Sequence, residues 1–528
     1  MPTIKVMEAL LTSGKITRRE FITRISALGM ATAVSPLLLA HSAQAASPKK
    51  GGRLRAGMAG GATTDTLDPA TMTDYVPLFI LFGQLRNCLT EVDYQGNVTP
   101  ELAESWEATK NAKQWIFNLR KGIEFHSGKT LDAEDVIFSI NHHRKEESKS
   151  GAKALLKSIS DIKADGKQRV IFTLTAGDAD FAYIVSDYHL QMMPNGTTDF
   201  DKGDGTGPYM LVKHEPGVRC ITKRNSNYWK VGHGHFDEVE TICISDVTAR
   251  TNALKSGQVD YINRCERKTA HLLKRVPGIQ LLSATGTTHY TLPMLADVPP
   301  FDNNDVRLAL KHAVDREELV KRILRGFGQV GNDHPIGPNQ RYFASELPQR
   351  AFDPEKARFH MKKAGMEGET LKLHVADAAF AGAVDTAVLF QNQAAKAGIK
   401  IAVVREPDDG YWSNVWMKKP WSACYWGGRP TEDLMFSIAY ASDAAWNDSH
   451  WKHKHFDKLL LEARAELDDT KRRQMYAEMQ RIVRDEGSVI IPMFASIVEA
   501  ASTKLKYVNY AANYESDGGK LAERWWFA

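Results

Sequence analysis

The sequence predicts an α/β protein, because segments with the two-residue period of strands alternate along the chain with capped helical segments. In QWIFNLR, Phe117 and Leu119 fall on one face and Asn118 on the other, as in a half-buried strand. Asp132, with Asp135 three residues later, is typical of a helix N-terminus before an apolar stretch. The same alternation continues through the C-terminal half.

Two helices in that half have clear boundaries in the sequence. DPEKARFHMKKAG predicts a helix with Asp353 as its N-cap, Pro354 in its first turn and Gly365 at its end. VDTAVLFQNQAAKAG predicts another helix, which ends at Gly398 before the buried strand IKIAVV. Each helix is followed by a strand-like segment, which favours an α/β layer structure.

The N-terminus has the features of an export signal. Arg18 and Arg19 precede a stretch without charged residues from 25 to 46, and Ala43-Gln44-Ala45 is a small-x-small cleavage pattern. The paired arginines resemble a twin-arginine signal. We therefore predict that residues 1–45 are a cleaved signal peptide and that the mature protein is periplasmic. An amphipathic surface helix is the alternative.

The composition is that of a globular protein, with 43% hydrophobic and 25% charged residues among 528. Removing residues 1–45 would lower the formal net charge from +4 to +1. A nearly neutral protein has no overall field that attracts nucleic acid, so we expect no nucleic-acid partner. No later apolar run is long enough to span a membrane.

The cysteines leave two interpretations open. Five remain after the predicted cleavage, an odd number, and no CxxC motif occurs. Cys220 and Cys243 lie in apolar segments that could be neighbouring strands and could form a disulfide in an oxidising compartment. Buried free thiols are the alternative for all five, which are Cys88, Cys220, Cys243, Cys265 and Cys424.

The sequence lacks the common catalytic motifs. There is no GxSxG, P-loop, HExxH or helix-opening GxGxxG, and GDGTG at 203–207 precedes the strand-like YMLV. These motifs therefore give no support for catalysis, for a cofactor or for a resident metal, and a secreted hydrolase would need a nucleophile beside a base, which no motif supplies. His450, His453 and His455 could supply imidazole ligands to a metal chelate, although such spacing also fits a solvated helix face.

An aromatic cluster indicates a ligand pocket. Five large rings fall within fifteen residues, beside Gly427 and Gly428, and aromatic walls with a few polar groups are typical of small-molecule sites. A seam of the hydrophobic core is the alternative. The rings belong to Trp412, Trp416, Trp421, Tyr425 and Trp426.

Several long phrases occur in a characteristic order, namely LDPA (67–70), PELAESWEA (100–108), WIFNLRKGIEFHSGKTLDAEDVIFSI (115–140), GTGPYMLVKHEPG (205–217), ALKSGQVDY (253–261) and PPFDNNDVRLALKHAVDREELVKRILRGFG (299–328). Together they resemble family 5 of the extracellular solute-binding proteins, the peptide and nickel class of ABC importers. The resemblance covers nearly the whole mature chain. It implies a monomer that binds a small solute between two lobes and delivers it to an inner-membrane ABC permease, without bond chemistry.

The resemblance also implies a two-lobed Venus-flytrap fold with an inserted subdomain. Lobe I would comprise 46–290, with the insertion at about 95–195, and a C-terminal return at 496–528. Lobe II would comprise 291–495. The segments TTHYTLPML and GSVIIPMFA would be the two strands of the hinge, and the ligand would lie between the lobes.

Ligand contacts in this family come from the loop after LDPA and the loop after the strand that ends in Tyr425 and Trp426. Peptide-binding relatives place an aspartate for the peptide ammonium group at the position of Arg429. Aligning the long lobe II helix places Asp377 near the arginine that holds the peptide carboxylate in dipeptide-binding relatives. The expected binding residues are Met72, Thr73, Asp74, Tyr75, Asp377, Trp412, Tyr425, Trp426, Gly428 and Arg429.

These two departures predict a ligand other than an ordinary peptide. A guanidinium repels ammonium and binds carboxylate, sulfonate or phosphate. We therefore expect a small anionic or zwitterionic solute, such as an amino-acid conjugate, an opine-like compound or a modified short peptide, with Arg429 on its acidic group. Asp74 or Asp377 could hold a cationic group. The alternatives are a general di- or oligopeptide receptor, or an Arg429 that only pairs with Glu432 or Asp433.

Overall fold

The computed structural model describes residues 48–72, 74–109, 111–407, 411–429 and 431–528. The predicted signal peptide lies outside these residues. Of the residues described, Lys49–Phe527 group into one unit. No helix in the described part of the chain combines the length and the apolarity needed to cross a bilayer.

Nineteen strands occur among the described residues. They are β1 (Arg53–Met58), β2 (Thr90–Val92), β3 (Val98–Pro100), β4 (Ala103–Ala108), β5 (Gln114–Leu119), β6 (Ile159–Ala164), β7 (Arg169–Leu174), β8 (Tyr209–Glu215), β9 (Arg219–Arg224), β10 (Glu238–Cys243), β11 (Tyr261–Ile262), β12 (Ile279–Pro293), β13 (Gly328–Val330), β14 (Thr370–Val375), β15 (Lys400–Arg405), β16 (Cys424–Trp426), β17 (Val489–Ser502), β18 (Leu505–Lys506) and β19 (Trp526–Phe527).

Helices alternate with these strands, which confirms the predicted α/β class. The α-helical segments are Tyr75–Ile80, Ala133–Arg144, Phe181–Ile184, Val247–Lys255, Arg267–Leu273, Asn304–His312, Arg316–Arg322, Pro354–Lys363, Ala383–Ala395, Tyr411–Asn414, Glu432–Ala439, Lys454–Ala465, Asp469–Glu486, Glu515–Gly518 and Leu521–Arg524. Short 3-10 turns span Pro69–Thr71, Lys153–Leu156 and Phe200–Lys202, and a π-helical turn spans Leu81–Leu85.

The helix ends follow the local signals in the sequence. Asp132 caps Ala133–Arg144 by accepting from the Glu134 amide at 3.1 Å, and Asp135 accepts from the Asp132 amide at 2.9 Å. These reciprocal bonds satisfy amides that a helix N-terminus leaves unpaired. Gly365 follows another helix with a φ of 68°, in the left-handed region that glycine enters without strain.

The largest sheet has nine strands in the order β16-β12-β17-β11-β1-β10-β9-β8, with β13 on β17. Its long central pair, β12 and β17, contains the two segments predicted to form the hinge. They run antiparallel over most of their length, and the register shifts between Thr285 and His289. This shift is an irregularity in the ladder, and it lets the chain around Thr287 leave the regular pleat.

Separate hydrophobic cores lie on different parts of the chain. One lies around the four-stranded sheet β4-β5-β7-β6 and includes Trp115, Phe117 and Phe172. Another is centred on Phe79 and β1. Two more cores are built from residues that lie in the sequence from Tyr290 to Ala495 and from Ile336 to Phe494, respectively.

All five cysteines are free thiols. Cys220 and Cys243 do lie on neighbouring antiparallel strands, β9 and β10, but Cys220 is opposite Thr241 in the ladder. The register therefore offsets the two cysteines by two residues. Burial raises the pKa of the Cys220 thiol to about 12, which keeps it protonated and unreactive at neutral pH.

Candidate functional site

A cavity of about 300 Å³ lies where segments distant in sequence meet. Its walls come from the turn at 91–96, the chain near Asp180, the irregular part of β12, residues 339–341, residues 428–429 and 431–432, and the segment 510–524. Ligand pockets begin at about this volume. The cavity is therefore sized for a small molecule.

Arg429 reaches this cavity because of the way β16 pairs with β12. Tyr425 is opposite Tyr290 in the antiparallel ladder, so the loop after β16 emerges beside the irregular part of β12. A Cβ atom at Gly428 would overlap the Thr287 hydroxyl. Only glycine allows this close approach, which fixes the direction in which Arg429 leaves the sheet.

The guanidinium group of Arg429 has no acidic partner among the described residues. Its Nη1 donates to the carbonyl oxygens of Gly427 at 3.1 Å and Gly428 at 3.2 Å. Burial lowers the pKa of Arg429, and the nearby hydroxyls of Tyr188 and Tyr514 partly oppose this shift. A partly buried cation that has only carbonyl acceptors remains available to an anion.

The alternative in which Arg429 pairs with Glu432 or Asp433 is not what the structure shows. Glu432 accepts the backbone amide of Tyr342 at 2.8 Å. Asp433 pairs with Arg464, whose Nε lies 3.1 Å from it. Burial raises the pKa of Glu432 to about 7, so this carboxyl is only partly ionised at neutral pH.

Tyr514 and Tyr188 form an aromatic wall beside Arg429. Their ring centroids are 5.3 Å apart in an edge-to-face arrangement. Burial raises the pKa of Tyr188 to about 12, so its hydroxyl is neutral. Tyr514 and the neighbouring Asn513 line the cavity. Tyr514 and Asn513 therefore offer aromatic surface and neutral hydrogen-bonding groups to the carbon frame of a ligand, and Tyr188 supports Tyr514 by packing against it.

The described residues of the loop after LDPA, Met72, Asp74 and Tyr75, do not line this cavity. Asp74 caps the helix Tyr75–Ile80 and pairs with Arg264, whose Nη2 is 3.0 Å from its carboxylate. The Tyr75 hydroxyl donates to the Glu515 carbonyl oxygen, and Met72 is buried in the hydrophobic core. Thr73 lies outside the described residues. Asp74 therefore already has a cationic partner within the protein.

The other expected residues also have structural partners. Asp377 accepts the backbone amide of Val384 at 3.2 Å, near the start of the helix Ala383–Ala395. Trp426 is buried, and its ring centroid lies 6.2 Å from that of Trp446. Tyr425 and Trp412 are exposed, and their ring centroids are 5.8 Å apart. Of the nine expected binding residues that the structure describes, Gly428 and Arg429 line the cavity.

Two of the three histidines, His450 and His453, contact separate carboxylates. His450 pairs with Asp297 at 3.0 Å, and His453 lies 3.2 Å from Glu486. The rings of His453 and His455 are 6.5 Å apart. Within the described ranges, no group of three or more metal-ligating side chains is close enough to hold an ion.

Several residues that line the cavity were not predicted from the sequence. Arg341, Asn339, Tyr514 and Lys520 line the cavity from segments outside every recognised phrase. A signal was present in YVNYAANYESDGG at 507–519, which interleaves tyrosine with asparagine. Such a pattern is typical of a surface that combines aromatic contact with adaptable hydrogen bonding.

A buried ion pair joins two cores next to the cavity. Arg472, in the helix Asp469–Glu486, donates from two nitrogens to the two oxygens of Asp180 at 2.7 and 2.6 Å. Asp180 precedes the helix Phe181–Ile184, which packs in the core of the four-stranded sheet. The Ala179 amide also donates to the Arg464 carbonyl oxygen at 2.7 Å. These bonds couple the two cores on one side of the cavity.

Comparison with known proteins places this geometry in context. The family model of "Bacterial extracellular solute-binding proteins, family 5 Middle" matches residues 97–448. The di/tripeptide-binding protein 1 of Pseudomonas aeruginosa is 27% identical over 460 residues, which cover 79% of this chain and 85% of that protein.

Solved structures agree with the family model. HbpA2 from Haemophilus parasuis superposes with a TM-score of 0.79 at 22% identity, covering 88% of this chain and 99% of that one. AgaA from A. tumefaciens R10, solved in complex with agropinic acid, superposes with a TM-score of 0.70 at 24% identity. The match covers 90% of this chain and 99% of the AgaA chain. This likeness confirms the predicted two-lobed α/β fold of periplasmic binding proteins.

Proposed function

Because the chain belongs to the family 5 bacterial extracellular solute-binding proteins, the substrate-binding components of ABC importers, we propose that it captures a small anionic or zwitterionic organic solute. One relative is the probable ABC transporter periplasmic-binding protein SapA of Escherichia coli, which is 25% identical over 473 residues. The proposed solute is an amino-acid conjugate, an opine-like compound or a modified short peptide, delivered by lobe closure to an inner-membrane permease.

The observation that carries this proposal is the guanidinium group of Arg429. It lines the cavity, and among the described residues it has only the carbonyl oxygens of Gly427 and Gly428 as hydrogen-bond partners. Guanidinium binds carboxylate in a two-pronged fork, and partial burial strengthens the attraction. An acidic group of the solute would satisfy this cation.

A general di- or tripeptide receptor is the second candidate, because the di/tripeptide-binding protein of Pseudomonas aeruginosa is a relative at 27% identity. Peptide-binding members use an aspartate for the peptide ammonium group where this chain has Arg429. This substitution favours an acid over an ammonium group at that end of the site.

The remaining parts of the proposal concern the chain as a whole. Residues 1–45 are removed on export, the mature protein is a monomer, and it performs no bond chemistry. Lobe I is formed by 46–290 with the C-terminal return 496–528, and lobe II by 291–495. Mass spectrometry of the exported protein tests the cleavage and the monomer, and incubation with chromogenic esters and peptides tests the absence of turnover.

A thermal-shift screen tests the ligand class. The purified protein is heated with unmodified di- and tripeptides, opine-like acids, sulfonated solutes and nickel chelates. A ligand at about 100 times its dissociation constant stabilises the folded state by about 2.7 kcal/mol, which gives a clear shift. We expect shifts from acidic solutes and from zwitterionic solutes other than unmodified peptides. Shifts confined to unmodified peptides would favour the second candidate, and shifts confined to nickel chelates would contradict both.

A further inference from the structure

The carboxylates that line the cavity already have partners within the protein. Glu91 accepts from Lys230 Nζ at 2.5 Å and also pairs with Arg524. Asp180 binds both terminal nitrogens of Arg472. Neither side chain has a charge left over for a ligand, because each is matched by at least one buried or half-buried cation.

The other two carboxyl groups of the described lining are also engaged. Glu432 accepts the Tyr342 amide at 2.8 Å. Asp93 closes its own turn by accepting from the backbone amides of Gln95 at 2.9 Å and Asn97 at 2.8 Å. Asp93 has no cationic partner among the described residues, but both of its oxygens already accept hydrogen bonds, the second one from the Asn97 side chain at 3.3 Å. An ammonium group entering the cavity would therefore have to share these oxygens with existing donors.

The positively charged side chains that line the cavity differ in whether they have a carboxylate partner. Lys520 is buried and pairs with Glu101 at 2.9 Å, and Arg524 pairs with Asp517 at 3.2 Å as well as with Glu91. Both of these lining cations therefore already have carboxylate partners within the protein. Arg429 is not matched, since its described partners are two carbonyl oxygens.

Arg341 is the second cation that a ligand can reach. Its Nη2 lies 2.6 Å from Asp469, but the two side chains are 34% and 52% exposed. Its guanidinium also stacks over the Tyr342 ring, 4.8 Å from the centroid. An ion pair this exposed contributes only about 0–1 kcal/mol, so an acid in the cavity can share or replace Asp469 at little cost.

We infer that the solute carries two acidic groups, one bound by Arg429 and the other by Arg341, and that no side chain of the cavity is reserved for an ammonium group. This inference rests on the proposed function and narrows its ligand class to diacids. Aromatic residues of the lining, such as Tyr514, then contact an uncharged carbon frame. A site with a guanidinium group at both ends would disfavour the ammonium group of an ordinary zwitterionic peptide.

Matched pairs of acids test the inference. N-succinyl amino acids carry two carboxylates, and the corresponding N-succinamoyl amino acids replace the succinyl carboxylate with a carboxamide of the same size. Dissociation constants are measured for both sets by calorimetry. We expect the diacid of a pair to bind at least about tenfold more tightly, the ratio for one lost charged hydrogen bond of about 1.5 kcal/mol. Equal affinities within the pairs would overturn the inference.

Variants of the two arginines show which of them binds which acidic group of the ligand. Arg341→Gln is expected to reduce the diacid preference to less than about twofold while leaving the carboxamide affinity unchanged, whereas Arg429→Gln weakens both members of a pair. Asp469→Asn is the control, because it frees Arg341 without removing it, and it should preserve or increase the diacid preference. A preference that survives Arg341→Gln, or is lost in Asp469→Asn, would contradict the role of Arg341.

The same experiment separates this inference from the proposed function. If single acids bind as tightly as diacids and Arg429→Gln weakens them, the proposed function stands and the second acidic group is refuted. If neither set binds and unmodified peptides do, the proposed function itself fails, and the inference fails with it.

Discussion

The ion pair between Arg472 and Asp180 gives the sharpest test of how the two cores are coupled. Both side chains are almost fully buried, with 3% and 6% of their surface exposed. Removing one partner leaves a buried charge without compensation, which costs about 3–5 kcal/mol. We therefore expect Asp180→Ala to lower the free energy of unfolding by that amount.

Urea unfolding followed by tryptophan fluorescence measures the change. Glu478→Ala is the matched control, because Glu478 also binds an arginine, Arg481, at 2.6 Å but both side chains are exposed. It should cost no more than about 1 kcal/mol. The double variant Asp180→Leu with Arg472→Met should recover most of the loss, since it leaves no unpaired charge. A loss below about 1 kcal/mol in Asp180→Ala would refute the coupling.

Three further predictions concern packing, pH and thiol chemistry. Gly428→Ala should lower the free energy of unfolding by about 1–3 kcal/mol, because the new methyl group meets Thr287, as urea titration would measure. Burial raises the pKa of Glu432 to about 7, because the folded protein favours the neutral carboxyl group. The contribution of Glu432 to the stability of the folded protein is therefore complete below about pH 4.5 and is lost as the pH rises through 7. Glu432→Gln should therefore reduce the decline in stability over this range by up to about 3 kcal/mol. The buried thiols should react slowly with a thiol reagent in the native protein. All five cysteines of the protein should react once it is unfolded.

Each of these has an outcome that would count against it. Gly427→Ala is the control for the first, since an added Cβ there meets only the Arg429 Nη1 atom at 3.7 Å, and equal effects of the two alanines would contradict the packing argument. An unchanged pH profile in Glu432→Gln would show that this carboxyl is ionised in the folded protein. Three reactive thiols in the unfolded protein, in place of five, would reveal a disulfide.

The helices and the sheet strands could be predicted because their signals are local. The cap at Asp132 and the end at Gly365 depend on residues within one turn, and the period of Phe117 and Leu119 depends on burial of one strand face. The family phrases then gave the order of these elements. These are the parts of the fold that neighbouring residues determine.

The cavity could be predicted only in part, because its walls meet through long-range packing. Arg429 was found from its position after Trp426, but Arg341 approaches from a loop with no distinctive local pattern. Trp426 was expected in the site, yet strand alternation in β16 turns it into the core and Tyr425 outward. A sequence window cannot tell these two faces apart when both residues are aromatic.

The dissociation constant of the best acidic ligand for the wild type, Arg429→Lys and Arg429→Gln tests the central claim most directly. A charged hydrogen bond contributes about 1.5–3 kcal/mol, so we expect Arg429→Gln to weaken binding about 10- to 100-fold. Arg429→Lys should recover part of this loss, because it keeps the charge but not the fork. Equal affinity in all three proteins would show that Arg429 does not bind the solute, and the proposed ligand class would be wrong.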